Sequence, residues 1–155
     1  MNELSDIISN DSVDARMTAS NKKALFQQVA AAMARKTGVP VKDIVAALGE
    51  REKIGSTGFG GGVAIPHGKI EGLPTVTGYF ARLTAPIDFQ AVDGLPVDLV
   101  FALLSPADAG ADHLKALAGV SRLLRDKQMM AKLRGARSKD AIYALIAGLE
   151  ARDAA

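Results

Sequence analysis

Apolar residues follow two rhythms along this chain, and the rhythm changes three times. Leu25, Val29, Ala32 and Met33 recur three or four residues apart between Asn21 and Thr37, the spacing of one helical face. Ser20 is the expected N-cap of that helix and Gly38 its expected stop. A second, shorter helix is predicted over Val41 to Leu48, with Pro40 at its start and Gly49 at its end. Ahead of both, Val13 to Met17 alternates apolar and polar and predicts a strand, while Leu4, Ile7 and Ile8 predict a short turn packed on an edge. Three extended pieces follow the helices: Val63-Ala64-Ile65, Val76 to Leu83, and Val97 to Leu104. The third is apolar without a break from Leu99 to Leu104, as expected of a central strand buried on both faces. Helical spacing then returns over Ala111 to Arg125 and Ser138 to Leu149, with a short helix around Gln128 to Arg134 between them. This order predicts an α/β fold, a mixed β-sheet flanked by helices in a single domain over residues 1–150, with residues 151–155 a frayed tail.

Composition narrows what such a domain does. A chain of 155 residues with 48% hydrophobic and 23% charged residues suits one domain with a sizeable core. The net charge is +2, and the basic residues between Arg122 and Arg137 are interspersed with apolar ones, so they read as solvated helix faces and not as a nucleic-acid footprint. With no cysteine, disulfides, thiol catalysis and cysteine metal sites are excluded. No apolar run approaches the ~18 residues of a membrane span. The acidic opening Met1-Asn2-Glu3-Leu4-Ser5-Asp6 lacks the pattern of an export signal, so a cytoplasmic domain is expected.

The chemistry concentrates at Gly58-Phe59-Gly60-Gly61-Gly62-Val63-Ala64-Ile65-Pro66-His67-Gly68. Pro66 fixes its own φ and biases Ile65 toward extended backbone, which suits a strand end that delivers His67 to an edge. The glycines on either side keep side chains away, leaving room for an anion to approach the ring and nearby backbone N–H groups. With an unperturbed pKa near 6.5, a neutral imidazole is available as a nucleophile at neutral pH. One ring nitrogen attacks while the other keeps its hydrogen, commonly donated to a backbone carbonyl. A surface-loop histidine is the plain alternative, and the chain has only two histidines.

This segment resembles the active-site signature of the bacterial phosphotransferase-system enzyme IIA proteins of the mannitol/fructose type, in particular their nitrogen-regulatory branch. The likeness runs from Arg51-Glu52-Lys53-Ile54-Gly55-Ser56-Thr57-Gly58 to His67-Gly68-Lys69. It resumes at Pro86-Ile87-Asp88-Phe89, at Asp93 to Phe101 and at His113-Leu114. The resemblance implies the enzyme IIA fold and a phosphocarrier that takes a phosphoryl group on His67, at Nε2, from a histidine-containing carrier protein. It implies regulatory targets, such as potassium-transport proteins or sensor kinases. The alternative within the family is a stand-alone fructose- or mannitol-specific enzyme IIA feeding a separate permease. Outside it stands a binding module whose His67 is never phosphorylated.

Other residues take roles beside His67. His113 follows Asp112 at what reads as the first turn of a helix, where the dipole opposes protonation and a neutral ring can donate to a phosphate. The resemblance places it beside the phosphorylated histidine; without that, it reads as a solvated helix start. Arg51 can bind phosphoryl oxygens through two parallel hydrogen bonds, or serve as a helix C-terminal cation or a partner of Glu50 or Glu52. Ser56 and Thr57 are candidate phosphate donors or turn residues. Phe59, Ile70, Leu73 and Phe89 are candidates for an apolar rim on which carrier proteins dock. Asp88, Asp93 and Asp98 lack calcium-loop spacing and read as turn residues. Gly68-Lys69 has Val63 where a P-loop needs its first glycine, and two histidines without cysteine make a poor zinc hydrolase. No cofactor, metal or nucleic acid is therefore expected.

Overall fold

Residues 97–106 form the strand around which everything else is arranged. The structure, a computed structural model, describes residues 4–154. Its first half comprises α1 (Leu4–Ile7), a 3-10 turn (Asn10–Ser12), β1 (Val13–Met17), α2 (Lys22–Thr37), α3 (Val41–Ile54), β2 (Gly58–Gly60) and β3 (Val63–Ala64). There follow β4 (His67–Ile70), β5 (Thr77–Ile87), β6 (Val97–Pro106), α4 (Ala111–Arg125), α5 (Lys127–Gly135) and α6 (Lys139–Ala154).

The six strands make one mixed sheet in the order β1-β5-β6-β3-β2, with β4 also paired to β6. β5 runs antiparallel to β6 on one side, and β1 runs parallel to β5 beyond it. On the other side β3 and β4 lie parallel to successive stretches of β6: Val63 opposite Leu99, then His67 opposite Leu103. The unbroken apolar run of β6 resolves into two faces, as the period of a strand requires. Val100, Ala102 and Leu104 join the core under α2 and α3, whereas Leu99, Phe101 and Leu103 join the core under α1, α4, α5 and α6.

Several element ends differ from expectation. Asn21, not Ser20, caps α2: its Oδ1 accepts the Ala24 N–H at 2.8 Å. Gly38 ends the helix as expected, at φ 78°. The second helix does not stop at Gly49 but continues to Ile54. Gly49 keeps helical backbone, and a glycine there costs about 1 kcal/mol relative to alanine without ending a helix. That extra length matters, because it puts Arg51 in the last turn of α3. β2 and β4 lie where no strand was predicted, being too short and too glycine-rich to show a period. Leu4 and Ile7 form a helical turn and, with Ile8, are buried in the second core instead of capping a sheet edge. α6 continues past Leu149, so the tail expected to be frayed is helical to Ala154, and Ala155 lies outside the described residues.

Candidate active site: two imidazoles beside the central strand

His67 is the first residue of β4. Pro66 before it has no N–H to give the ladder, yet its carbonyl still accepts from Leu103 N at 2.9 Å, so the segment stays fastened to β6. The ring is fixed at both nitrogens. His67 Nδ1 lies 2.8 Å from the Ile65 carbonyl oxygen, and Arg51 Nε donates to His67 Nε2 at 3.2 Å. A carbonyl only accepts and a guanidinium only donates, so both contacts select one state: hydrogen on Nδ1, a lone pair on Nε2. Burial, at 8% relative exposure, holds the His67 pKa below its ordinary 6.5, and the Arg51 charge adds to that. The ring is thus held neutral, with its lone pair on Nε2 turned toward Arg51.

The second imidazole faces it. His113 stands in the first turn of α4, with its ring centroid 5.6 Å from that of His67 and the planes inclined at 49°. It is as buried as His67, and its Nδ1 lies 2.6 Å from Ser105 Oγ on β6. Burial lowers its pKa as well, reinforced by His67 and Lys69. A solvated helix-start histidine is therefore not what the structure contains.

Both rings line a cleft of about 660 Å³ between the end of α3 and β4. Arg51 and Lys69 bring positive charge to it, and Asp43, Glu50 and Glu71 bring negative charge. Ile54 lines it and is 82% exposed; Leu114, next to His113 in the chain, is 66% exposed. A lone pair, a guanidinium and an imidazole converging on one cleft suit a nucleophile that must hold an anionic group.

Other expected site residues stand elsewhere. Thr57 is fully buried, with its Oγ1 donating to Glu52 Oε1 at 2.6 Å and its N–H donating to the same carboxylate, so it has no hydroxyl to offer a phosphate. Ser56 Oγ accepts from Gly58 N at 3.1 Å, a turn contact outside the cleft lining. Of the expected apolar rim, Phe89 is core, packed edge-on to Phe26 at 6.1 Å and under Lys22. Ile70 and Leu73 are buried in the same core, so neither offers a docking surface, though Ile70 touches the cleft floor. Phe59 is exposed but does not line the cleft. Strand and turn propensity could not separate these, because an apolar residue near a site is core by default.

The glycines also serve a purpose other than anion access. Gly60 to Gly62 form the turn between β2 and β3, pinned by Gly61 N–H to Asp93 Oδ2 and by Arg134 Nη2 to the Gly61 carbonyl. Gly68 does line the cleft, but a Cβ there would lie 2.9 Å from the Ala47 backbone carbon, so its role is to let α3 approach β4. Asp93 accepts turn N–H groups, Asp88 does likewise, and Asp98 pairs with Arg134 at 2.8 Å. Among the described residues no cluster of three or more histidine or carboxylate groups could hold a metal, and no helix is long and apolar enough to cross a membrane.

Sequence reasoning offered Glu52 only as a possible partner of Arg51, and it missed Ser105. Glu52 gathers Thr57 and Lys22, the latter at 2.9 Å, and so ties the end of α3 to the starts of α2 and β2. Burial pushes its carboxyl up, but those hydrogen bonds outweigh it and hold the pKa below the ordinary value. Ser105 follows an apolar strand and looks like its polar end; only the chain crossing to α4 gives it His113.

A family model described as "Phosphoenolpyruvate-dependent sugar phosphotransferase system, EIIA 2" matches residues 6–148. A nitrogen regulatory protein of Bradyrhizobium diazoefficiens is 47% identical over 144 residues, covering 93% of this chain and 94% of that one. One from Escherichia coli is 38% identical over 149 residues, covering 96% and 91%. The crystal structure of nitrogen regulatory protein IIA-Ntr from Neisseria meningitidis superposes with a TM-score of 0.88 at 34% identity, covering 92% of this chain and 98% of that one.

Proposed function

The chain belongs to the EIIA type 2 family of the phosphoenolpyruvate-dependent sugar phosphotransferase system, and from that membership we propose that it is the phosphocarrier of a nitrogen-related branch, charged at His67 by a histidine-containing carrier protein. Its phosphorylation state then regulates partner proteins, such as potassium-transport proteins or sensor kinases. The names of the relatives at 47% and 38% identity favour this branch over a sugar-specific enzyme IIA.

The observation that carries the reading is the fixed protonation of His67, with Nδ1–H on the Ile65 carbonyl and an unprotonated Nε2 toward Arg51. In the transfer, the Nε2 lone pair forms a bond to the incoming phosphorus as the bond from phosphorus to the donor's histidine nitrogen breaks. No proton needs to move, because the Ile65 carbonyl accepts the Nδ1–H before and after and stabilises the charge that the ring acquires. The Arg51 N–H that sat on the lone pair turns to a phosphoryl oxygen, and His113 donates to another. Positioning and charge stabilisation supply the catalysis, as phosphoryl transfer requires.

Incubation with phosphoenolpyruvate and the upstream carrier system is expected to add about 80 Da as one acid-labile phosphate. His67→Ala is expected to take up none, and full labelling of that variant would refute the assignment.

A further inference from the structure

The hydrogen bond between Ser105 Oγ and His113 Nδ1, 2.6 Å long, can be drawn with either group as donor, and the surroundings decide between the two. Ser105 is wholly buried on β6, and among the described residues this contact is the one hydrogen bond of its hydroxyl. Were His113 to donate from Nδ1, the serine hydrogen would be left in the interior with no acceptor, the costlier kind of orphan. With the serine as donor, its hydrogen is used, and the imidazole, being neutral, must carry its own on Nε2. Nε2 is also the ring atom that remains for the cleft His113 shares with His67. The opposite tautomer would turn a lone pair toward an incoming anion beside Arg51 and Lys69.

We infer that Ser105 is a positioning residue for phosphoryl transfer, donating to His113 Nδ1 and thereby holding the His113 proton on Nε2, where it meets a phosphoryl group on His67. This rests on the phosphocarrier reading above. It gives the serine a task apart from packing: it acts on the reaction only through the state of another side chain. β6 is suited to it, since a serine on a central strand cannot swing away as one on a loop would.

Long-range proton–nitrogen correlation spectra of the unphosphorylated wild-type protein read the tautomer with no variant and no donor. A protonated Nε2 on His113 is expected; a proton on Nδ1 overturns the inference. Ser105→Ala is expected to slow transfer from the phosphorylated carrier roughly tenfold, with the Nδ1 resonance moving as its hydrogen bond is lost. Ser105→Thr, which keeps the hydroxyl, is expected to restore both. A wild-type rate in a folded Ser105→Ala protein overturns the inference, and so does a slower rate with the His113 resonances unmoved, which marks a packing defect. Failure of the phosphocarrier reading is seen separately, as wild-type protein that takes no phosphate on His67.

Discussion

Arg51 Nε donates to the very lone pair of His67 that the proposed reaction consumes, at 3.2 Å across from α3 to β4. The same side chain donates from Nη1 to the Gly55 carbonyl at 2.9 Å, so its guanidinium is held at two points before any phosphate arrives. Its charge helps to keep protons off Nε2, and in the proposed reaction its N–H groups are the ones offered to phosphoryl oxygens.

Arg51→Lys is expected to slow phosphorylation of His67 by roughly 10-fold or more, since an ammonium cannot offer two parallel N–H bonds from a fixed plane. Arg51→Ala is expected to raise the His67 pKa as well, because a neighbouring cation is removed while burial remains. Rapid-quench kinetics and an NMR titration of His67 check the two effects; unchanged kinetics would remove Arg51 from the site.

Acid is expected to destabilise the fold through its histidines. Burial, first, depresses both pKa values below the ordinary 6.5. The unfolded chain therefore binds protons before the folded one does. The stability this represents is present above pH 6.5, and it is lost as pH falls through the folded values. Thermal midpoints measured from about pH 7.5 down to about pH 5 should fall, and fall less steeply in His113→Ala.

His113→Ala is expected to slow transfer by roughly 10²-fold, the effect of removing one donor from a developing anion. It also orphans the Ser105 hydroxyl, which is expected to cost about 1–3 kcal/mol of stability. Denaturant unfolding measures the second and carrier-dependent labelling the first; a wild-type rate would demote His113 to a bystander.

Gly68→Ala tests how the cleft is held together. The added Cβ would sit 2.9 Å from both the carbonyl carbon and the Cβ of Ala47, and backbone cannot yield as a side-chain tip does. Destabilisation of about 1–3 kcal/mol is expected from this overpacking, together with slower labelling as α3 and Arg51 move off His67. An unchanged thermal midpoint would show that α3 yields freely at Ala47.

The sequence carried the fold class and the central strand because both write themselves into local periodicity. β6 is legible as an unbroken apolar run, and α4 as a long amphipathic pattern whose start at Ala111 agrees with the structure. Gly49 misled because a glycine can also keep helical backbone; at Gly38 the helix ends because the backbone turns left-handed. Thr57 and Phe89 misled for another reason: proximity to a motif says nothing about which way a side chain points. Thr57 turns in to Glu52, five residues back at the end of α3, and Phe89 to Phe26 across the fold. Ser105 could not be singled out, since its meaning depends on a ring eight residues on.

Both imidazoles ultimately hang from one rail. β6 receives the His67 segment at Leu103, through the Pro66 carbonyl, and reaches His113 two positions later through Ser105. The gap between the rings is thus gauged by the pitch of a single buried strand, not by the meeting of two independent loops. A displacement of this strand therefore moves both points of attachment together.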